Sequence, residues 1–354
     1  MDFIDLYKAR VLNPENRSEV IDQTSTLNII PNTWGFMNQL GIFENHYGTQ
    51  RTFGFNIREE KDILIEARNW GERNNWQGGQ EGAWIQFNIP HYPLDDSIVP
   101  TDLQGKVDLS GSINPETAML RTLAGVRMDK MERIRRAHAL NLNQTRMQVI
   151  KDGTVTAGNL SYNYYDAFGV TRKVVNLGLS SLTDNPKSAL GEVFGEMQDA
   201  ALMGDTITNM VAFCSTSFFD ALSTNQFVTE AFGAIAQPQS LGILTQRLES
   251  GLGLDSRYRT LLYENIYFVE VRGTFAGQPI IEDGKAYLLP LGTKGVFETH
   301  FAPADKFSYV NAMAQEVYLF ESLNDDDDFV KLASQSNFLN LIRRPQLVIT
   351  LDKD

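Results

Sequence analysis

The chain has 354 residues, and its 31 Lys and Arg against 44 Asp and Glu leave a net charge of −13. The surface as a whole therefore repels phosphate, which disfavours a conventional DNA- or RNA-reading protein. The single cysteine, Cys214, excludes a disulfide framework or a thiolate metal site within one chain. No apolar run approaches the ~20 residues of a membrane span.

The first part of the chain predicts an extended arm over residues 1–50. Short apolar groups alternate there with Asn, Pro and Gly, and no periodicity continues long enough to bury one face. We expect at most a short helix, near Glu19 to Asp22. An arm of this kind needs another surface to lie on.

A projecting hairpin is predicted next. Apolar residues alternate over 52–57 and again over 83–89, which is the pattern of two strands. The segment between them, 68–82, is polar and rich in glycine, so it is too hydrophilic for a core. Because an isolated hairpin is marginal in water, we expect this one to gain order from a neighbour.

A long helix is predicted from Pro115 to about Lys151, with Asn114 as N-cap and Asp152-Gly153 at its end. At 1.5 Å per residue it spans roughly 55 Å. Its apolar stripe contains Leu120, Leu123, Met131 and Ile134. Its polar side is strongly basic and contains Arg121, Arg127, Lys130, Arg133, Arg135, Arg136 and Arg146. This basic side can face nucleic acid or acidic surfaces of neighbouring molecules, and the sequence does not separate the two.

The remainder mixes strands and helices. A helix begins at Asn185-Pro186, with Leu190, Val193 and Met197 on the helical period, and another is predicted over 218–232. Asp283-Gly284 is a hairpin signal. Further strands are predicted over 154–157, 161–165, 173–177, 210–215, 266–275, 315–322 and 346–351. Since no steady strand–helix–strand rhythm appears, the fold class is α+β.

Motifs for catalysis are missing from the sequence. His46, His91, His138 and His300 are scattered, without the spacing of a metal site, and no phosphate-binding loop or nucleophile elbow occurs. Cys214 lies in an apolar run and is interpreted as a core thiol. The acidic run 325–328 is interpreted as a solvated turn. We therefore expect no enzyme, no cofactor and no metal.

Aromatic and arginine side chains gather on the hairpin and are the candidate contact residues. They suit either a sugar-binding platform or an intersubunit contact, and a projecting hairpin favours the second. The contact candidates are Arg68, Trp70, Arg73, Trp76 and Trp84. Three glycines, Gly78, Gly79 and Gly82, let the loop change shape.

The order of these parts resembles the lambda-type major capsid protein (phage major capsid protein E) family of tailed bacteriophages, with the Hong Kong 97-type fold. The clearest local matches are Tyr263-Glu-Asn-Ile-Tyr-Phe-Val-Glu-Val, Asp283-Gly284 continuing to Tyr287-Leu-Leu-Pro, Gly292-Thr-Lys-Gly-Val-Phe and Arg344-Pro-Gln-Leu-Val-Ile. In that family the corresponding segments are a middle-domain strand, a hairpin ending in a Leu-Pro turn, a returning strand and a final strand.

The resemblance implies a division of the chain. Residues 1–50 would be the N-terminal arm and 51–108 the extended E-loop. The peripheral P-domain would cover 109–186, with its spine helix at about 115–151. The axial A-domain would cover 187–305, and 306–354 would return as C-terminal strands of the P-domain.

The resemblance also implies function and partners. Copies would self-assemble, as hexamers and pentamers, into the icosahedral head shell around double-stranded DNA, bound without sequence specificity and without a membrane. A separate scaffolding protein is expected, because no long charged helical extension precedes the arm, together with a portal protein and a decoration or cement protein. The protein would be located in the virion, and in the cytoplasm of the host bacterium during assembly. The alternatives are an encapsulin-type compartment of the same fold and, in another class, a carbohydrate-active enzyme.

Overall fold

The computed structural model describes residues 20–32, 34–57, 83–104, 115–181, 184–201, 206–235, 257–275, 277–324 and 328–354. The helices in these ranges are α1 (Thr24–Ile29), α2 (Phe36–Leu40), α3 (Pro100–Leu103), α4 (Pro115–Asp152), α5 (Tyr164–Phe168), α6 (Pro186–Ala200), α7 (Thr216–Thr224) and α8 (Gln226–Ile235).

In the same ranges the strands form two six-stranded sheets and three separate hairpins. Sheet 1 contains β1 (Ile21–Asp22), β2 (Glu44–Tyr47), β5 (His91–Ile98), β15 (Phe297–Phe301), β16 (Tyr318–Leu323) and β17 (Val330–Ile342). Sheet 2 contains β8 (Val174–Asn176), β9 (Asn209–Cys214), β10 (Thr260–Tyr263), β11 (Ile266–Glu270), β14 (Lys285–Leu291) and β18 (Ile349–Asp352). The hairpins are β3–β4 (Thr52–Ile57, Ala83–Asn88), β6–β7 (Thr154–Ala157, Leu160–Asn163) and β12–β13 (Thr274–Phe275, Gln278–Pro279).

Helix α4 is the predicted long helix, and it ends as predicted at Gly153, whose φ is +65°. A Cβ at this glycine would lie 2.2 Å from the ring of Tyr165, so the turn has room for glycine alone. Leu123, Met131 and Ile134 of the predicted stripe are buried. The helix packs across β5 and β17 of sheet 1.

Sheet 2 has the order β10-β11-β9-β14-β18-β8, with β9 parallel to β11 and antiparallel to β14. Its central strands are apolar: Phe213, Phe268 and Leu288 are fully buried. Helices α6 and α7 add Val193 and Phe218 to the same core. The predicted strand over 210–215 and the predicted helix from Pro186 are thus confirmed.

Sheet 1 has the order β1-β16-β17-β15-β2, and β5 also pairs with β17. The 13-residue β17 holds this sheet together, because it pairs with β16, β5 and β15. The sequence pattern does not predict β17. Its buried side chains include Ser334, Gln335, Ser336, Asn337 and Asn340, which break the apolar pattern of a core strand.

The described part of the arm lies on its own chain. Strand β1 pairs with β16, α1 packs on β16 and α4, and β2 runs parallel to β15. The helix predicted near Glu19 to Asp22 is wrong, because Ile21 and Asp22 form the edge strand β1. The carboxylate of Asp22 then accepts the Thr24 N–H (2.9 Å), so the helix begins only after it.

At two other places an Asn side chain caps a helix and interrupts a predicted element. Asn163 accepts the Tyr165 N–H at 3.0 Å, so the strand predicted over 161–165 becomes β7 followed by α5. Asn225 accepts the Phe227 N–H at 3.0 Å and divides the helix predicted over 218–232 into α7 and α8. Both side chains stabilise a helix start that apolar periodicity does not reveal.

The hairpin predicted at Asp283-Gly284 is also wrong. Gly284 does turn the chain, with φ +74°. However, β14 after it pairs with β9 and β18, whereas the short strand before it pairs with Thr274–Phe275. Pro290, expected in a Leu-Pro turn, lies inside β14 opposite Met210.

The two sheets do not follow the expected boundary between the A-domain, which ends at 305, and the C-terminal strands, which begin at 306. Strand β15 precedes it but belongs to sheet 1, and β18 follows it but belongs to sheet 2. The domain boundaries stay predictions.

Candidate subunit-contact surfaces

The predicted hairpin is present at its base. Strands β3 and β4 pair antiparallel, with Phe53 opposite Phe87. Phe87 is buried and meets the ring of Tyr162 edge-on, with 5.1 Å between centroids, and the Tyr162 hydroxyl accepts the Asn88 N–H at 3.0 Å. Phe53 stacks on His300 of β15 at 3.7 Å. These contacts hold both strands of the hairpin against the body of the subunit.

Trp84 stands out on this hairpin, because 67% of its surface is exposed. A Cβ at Gly54 would lie 2.6 Å from the indole, so Gly54 leaves the space that the ring occupies on β3. The indole therefore lies across the hairpin with one side open to a partner, as an interface anchor would. Arg68, Trp70, Arg73 and Trp76, together with Gly78, Gly79 and Gly82, lie outside the described residues and stay predictions.

Two of the four histidines meet at the base of the hairpin. His46 and His300 are neighbours in the parallel pair β2–β15, and their rings stack at 5.1 Å. The buried Glu298 accepts from His300 (2.7 Å) and lies 3.0 Å from Arg343. Burial opposes its charge, but these two partners outweigh burial and hold the pKa of Glu298 below its ordinary value. The expectation of scattered histidines is wrong for this pair, because sheet pairing joins residues 254 positions apart.

The strongly basic side expected for α4 is in fact divided between the inside and the outside. Arg127 donates to the fully buried Glu321 (2.5 Å), and Arg135 donates to Glu316 (2.5 Å). Lys130 lies 3.2 Å from Asp96. These cations join the helix to sheet 1 and to the segments beside it, and they are not available to an outside partner.

Arg146 is a further basic residue of α4 with internal partners. It is buried, and its guanidinium donates to Asn38 (2.8 Å), Asn45 (2.7 Å) and Thr299 (2.9 Å). Burial lowers its pKa to about 10. Since these acceptors belong to α2, β2 and β15, one side chain fixes the folded-back arm to the sheet and to the helix.

The outer face of α4 carries mixed charge. Arg121, Arg133 and Arg136 are exposed, but Asp129 and Glu132 are exposed among them. Such a face does not form a continuous basic surface for phosphate.

Chemical sites are not apparent in the described part of the chain. No group of three or more His, Cys, Asp or Glu there could hold a metal ion. Cys214 is fully buried, and burial raises the pKa of its thiol, which fits the interpretation as an inert core thiol. No helix among these residues is long and apolar enough to cross a bilayer.

Two mixed sheets, one long helix across the first of them and a hairpin held at its base define an α+β subunit with the Hong Kong 97-type fold. A crystal structure of the putative capsid protein of a prophage from E. coli CFT073 shares this fold, with a TM-score of 0.52 over 77% of this chain and 80% of that chain, at 12% identity. The predicted fold class is confirmed.

Sequence comparison gives the family directly. The chain belongs to the phage major capsid protein E family, whose model matches residues 19–353. It is 35% identical to the major capsid protein of Pseudomonas phage KPP10, over 95% of this chain and 97% of that protein. It is 26% identical to the major capsid protein of Salmonella phage Felix O1, over 96% of this chain and 97% of that protein. The predicted family is confirmed.

Proposed function

We propose that copies of this chain, as hexamers and pentamers, build the icosahedral head shell that encloses the double-stranded DNA of a tailed phage. The observation that carries this proposal is the family match over residues 19–353, together with two relatives that are both major capsid proteins. The match does not favour the alternatives, an encapsulin-type compartment or a carbohydrate-active enzyme. The protein acts as a structural component of the virion.

In this proposal the hairpin of the E-loop lies over the P-domain of an adjacent subunit. Two observations support this placement. Phe53 and Phe87 hold the base of the hairpin, and the indole of Trp84 is exposed to solvent. A fixed base gives the hairpin a defined direction, and an exposed aromatic side chain gives it an anchor. Trp70 and Trp76 at the tip would add further anchors, with Arg68 and Arg73 beside them.

The proposed partners are a separate scaffolding protein, a portal protein, a decoration or cement protein, and DNA held without sequence-specific contacts. The net charge of −13 and the mixed charge on the outer face of α4 support weak attraction to DNA. Weak attraction suits a container from which DNA must leave. Assembly would take place in the cytoplasm of the host bacterium.

Deletion of residues 70–82 tests the role of the hairpin. The variant should remain a soluble, folded subunit but form no closed shells, as judged by circular dichroism and negative-stain microscopy. Val174→Ala is the matched control, because Val174 is 56% exposed at the edge of sheet 2, and it should leave assembly unchanged. Closed shells of normal size and stability from the deletion variant would refute the role of the hairpin.

A further inference from the structure

Besides Trp84, the protein exposes a second apolar surface, which lies more than 200 positions later in the sequence. The loop between β15 and β16 carries Phe307, Val310 and Met313, which are 101%, 62% and 66% exposed. We call residues 305–314 the apolar loop. Scattered exposed apolar side chains are ordinary, but three large ones on ten consecutive residues form a patch of the kind that marks an interaction site.

The apolar loop is rigidly built. Tyr309 turns inward, where its ring meets Tyr318 edge-on at 5.0 Å and its hydroxyl donates to Asp22. Backbone bonds close the turns, from the Ala312 N–H to the Tyr309 carbonyl (3.1 Å) and from the Ala314 N–H to the Gly48 carbonyl (2.9 Å). The backbone that carries the apolar side chains is therefore held in a defined arrangement, which lowers the entropy cost of binding.

A groove of about 690 Å³ opens beside this loop. The residues that form its apolar part are Ile30, Pro31, Tyr47, Met313 and Ala314. Its charged lining residues, Arg135 and Glu316, pair with each other at 2.5 Å. The other lining residues are polar: Asn28, Asn32, Asn45, His46 and Gln315. The groove therefore offers no surplus of cations to a phosphate, and its apolar part can receive an apolar side chain.

We propose that the apolar loop is a contact between two copies of this chain, in which Phe307 of one copy enters the groove of another. Met313 belongs to both the loop and the groove, so projection and recess lie side by side on one face. A projection beside its own recess is the arrangement that lets identical subunits join head to tail around a rotation axis. This inference rests on the proposed function, since a shell subunit must meet several copies of itself.

The geometry favours a second copy over other partners. DNA would need cations at this surface, whereas the one lysine of the loop, Lys306, places its ammonium group over the ring of Phe320 at 5.2 Å. A different protein could bind the loop alone. It would not account for a recess of matching character next to the loop on the same subunit.

The test uses a photoreactive benzoylphenylalanine at position 307 in full-length chains. Copies with ordinary and heavy nitrogen are mixed before assembly, so that mass spectrometry distinguishes bonds between copies from bonds within one. We expect bonds between copies that end in 28–32, 45–47 or 313–316. The same probe at position 174 is the control and should give no bonds to these segments.

The outcomes separate this proposal from the proposed function. Shells whose bonds from position 307 end elsewhere, or on another protein, would overturn the contact and leave the capsid function standing. A chain that forms no particle under any condition would overturn both.

A substitution gives the second measurement. Because Phe307 has no surface covered by its own chain, Phe307→Ala should leave the melting temperature of the subunit unchanged. The concentration needed for assembly should rise about tenfold or more, as for an interface anchor. An unchanged assembly concentration would contradict the contact.

Discussion

Sheets 1 and 2 have the same number of strands but are stabilised in different ways. Sheet 2 encloses mostly apolar side chains such as Phe213 and Leu288, and Glu270 is its one buried carboxylate among the described residues. Sheet 1 buries polar and charged groups, among them Glu321 and Asn340, and α4 supplies their partners. Apolar burial is non-directional and stabilises many close-packed arrangements. Hydrogen bonds and ion pairs form only in the register that brings their donors and acceptors together. The polar contacts therefore restrict the position of α4 on sheet 1 more than apolar contacts alone would.

The largest expected effect is in sheet 2. Phe213→Ala should lower the free energy of unfolding by about 4 kcal/mol, because it leaves a cavity in a fully buried apolar core. Urea denaturation of the subunit measures it. The loss should be the same at pH 5 and pH 8. A loss below about 1 kcal/mol would contradict close packing of this sheet.

In sheet 1 the pair Arg127–Glu321 should behave differently. Arg127→Met alone removes a close cationic partner from a carboxylate with 0% exposure, so we expect a loss of about 3 kcal/mol. Adding Glu321→Leu should restore much of that loss, since the buried charge is then gone as well. Additive losses in this double-mutant cycle, again measured with urea, would show that the two side chains are not coupled.

A smaller, pH-dependent effect should come from His138 on α4. Burial, aided by Arg135, lowers its pKa from 6.5 to about 4, and its Nε2 lies 2.9 Å from the Ser334 hydroxyl. The unfolded chain therefore binds more protons between these values, and stability should fall as the pH drops from 6.5 to about 4.

His138→Gln isolates this contribution. The variant should lose less stability than the parent chain over that range of pH, in thermal melts at matched ionic strength. Parallel pH profiles for the two chains would contradict a neutral, buried His138.

The smallest effect on stability should come from the exposed hairpin. Trp84→Ala should change the free energy of unfolding by less than about 0.5 kcal/mol, because most of the indole faces solvent. Shell yield, measured by sedimentation, should nevertheless fall. A variant with normal yield would show that Trp84 is not a subunit contact.

The contrast between the sheets also explains what the sequence could predict. Strand β9 and helices α4 and α6 follow from apolar periodicity and terminal signals, and each is present near its predicted bounds. Strand β17 could not be predicted in this way, because its buried Ser and Asn residues are satisfied by partners distant in the chain. Asn340, for example, donates to Thr145 at 2.9 Å.

The same limit applies to the candidate contact surfaces. The basic residues of α4 are visible in the sequence, but their inward direction depends on carboxylates such as Glu316 and Glu321 that only the fold brings near. The apolar loop was missed for another reason. Phe and Val are residue types that usually lie in a core, and only the structure shows that Phe307 and Val310 are exposed. The polar context of the hairpin, in contrast, already makes Trp84 a contact candidate in the sequence, and its contact stays a prediction.

The most direct test of the central claim is sedimentation velocity of the purified chain, alone and with a scaffolding partner, followed by negative-stain images of the fastest species. A capsid subunit should give a megadalton species that appears as closed icosahedral shells. A single peak near the 39.8 kDa monomer under all conditions would contradict the account.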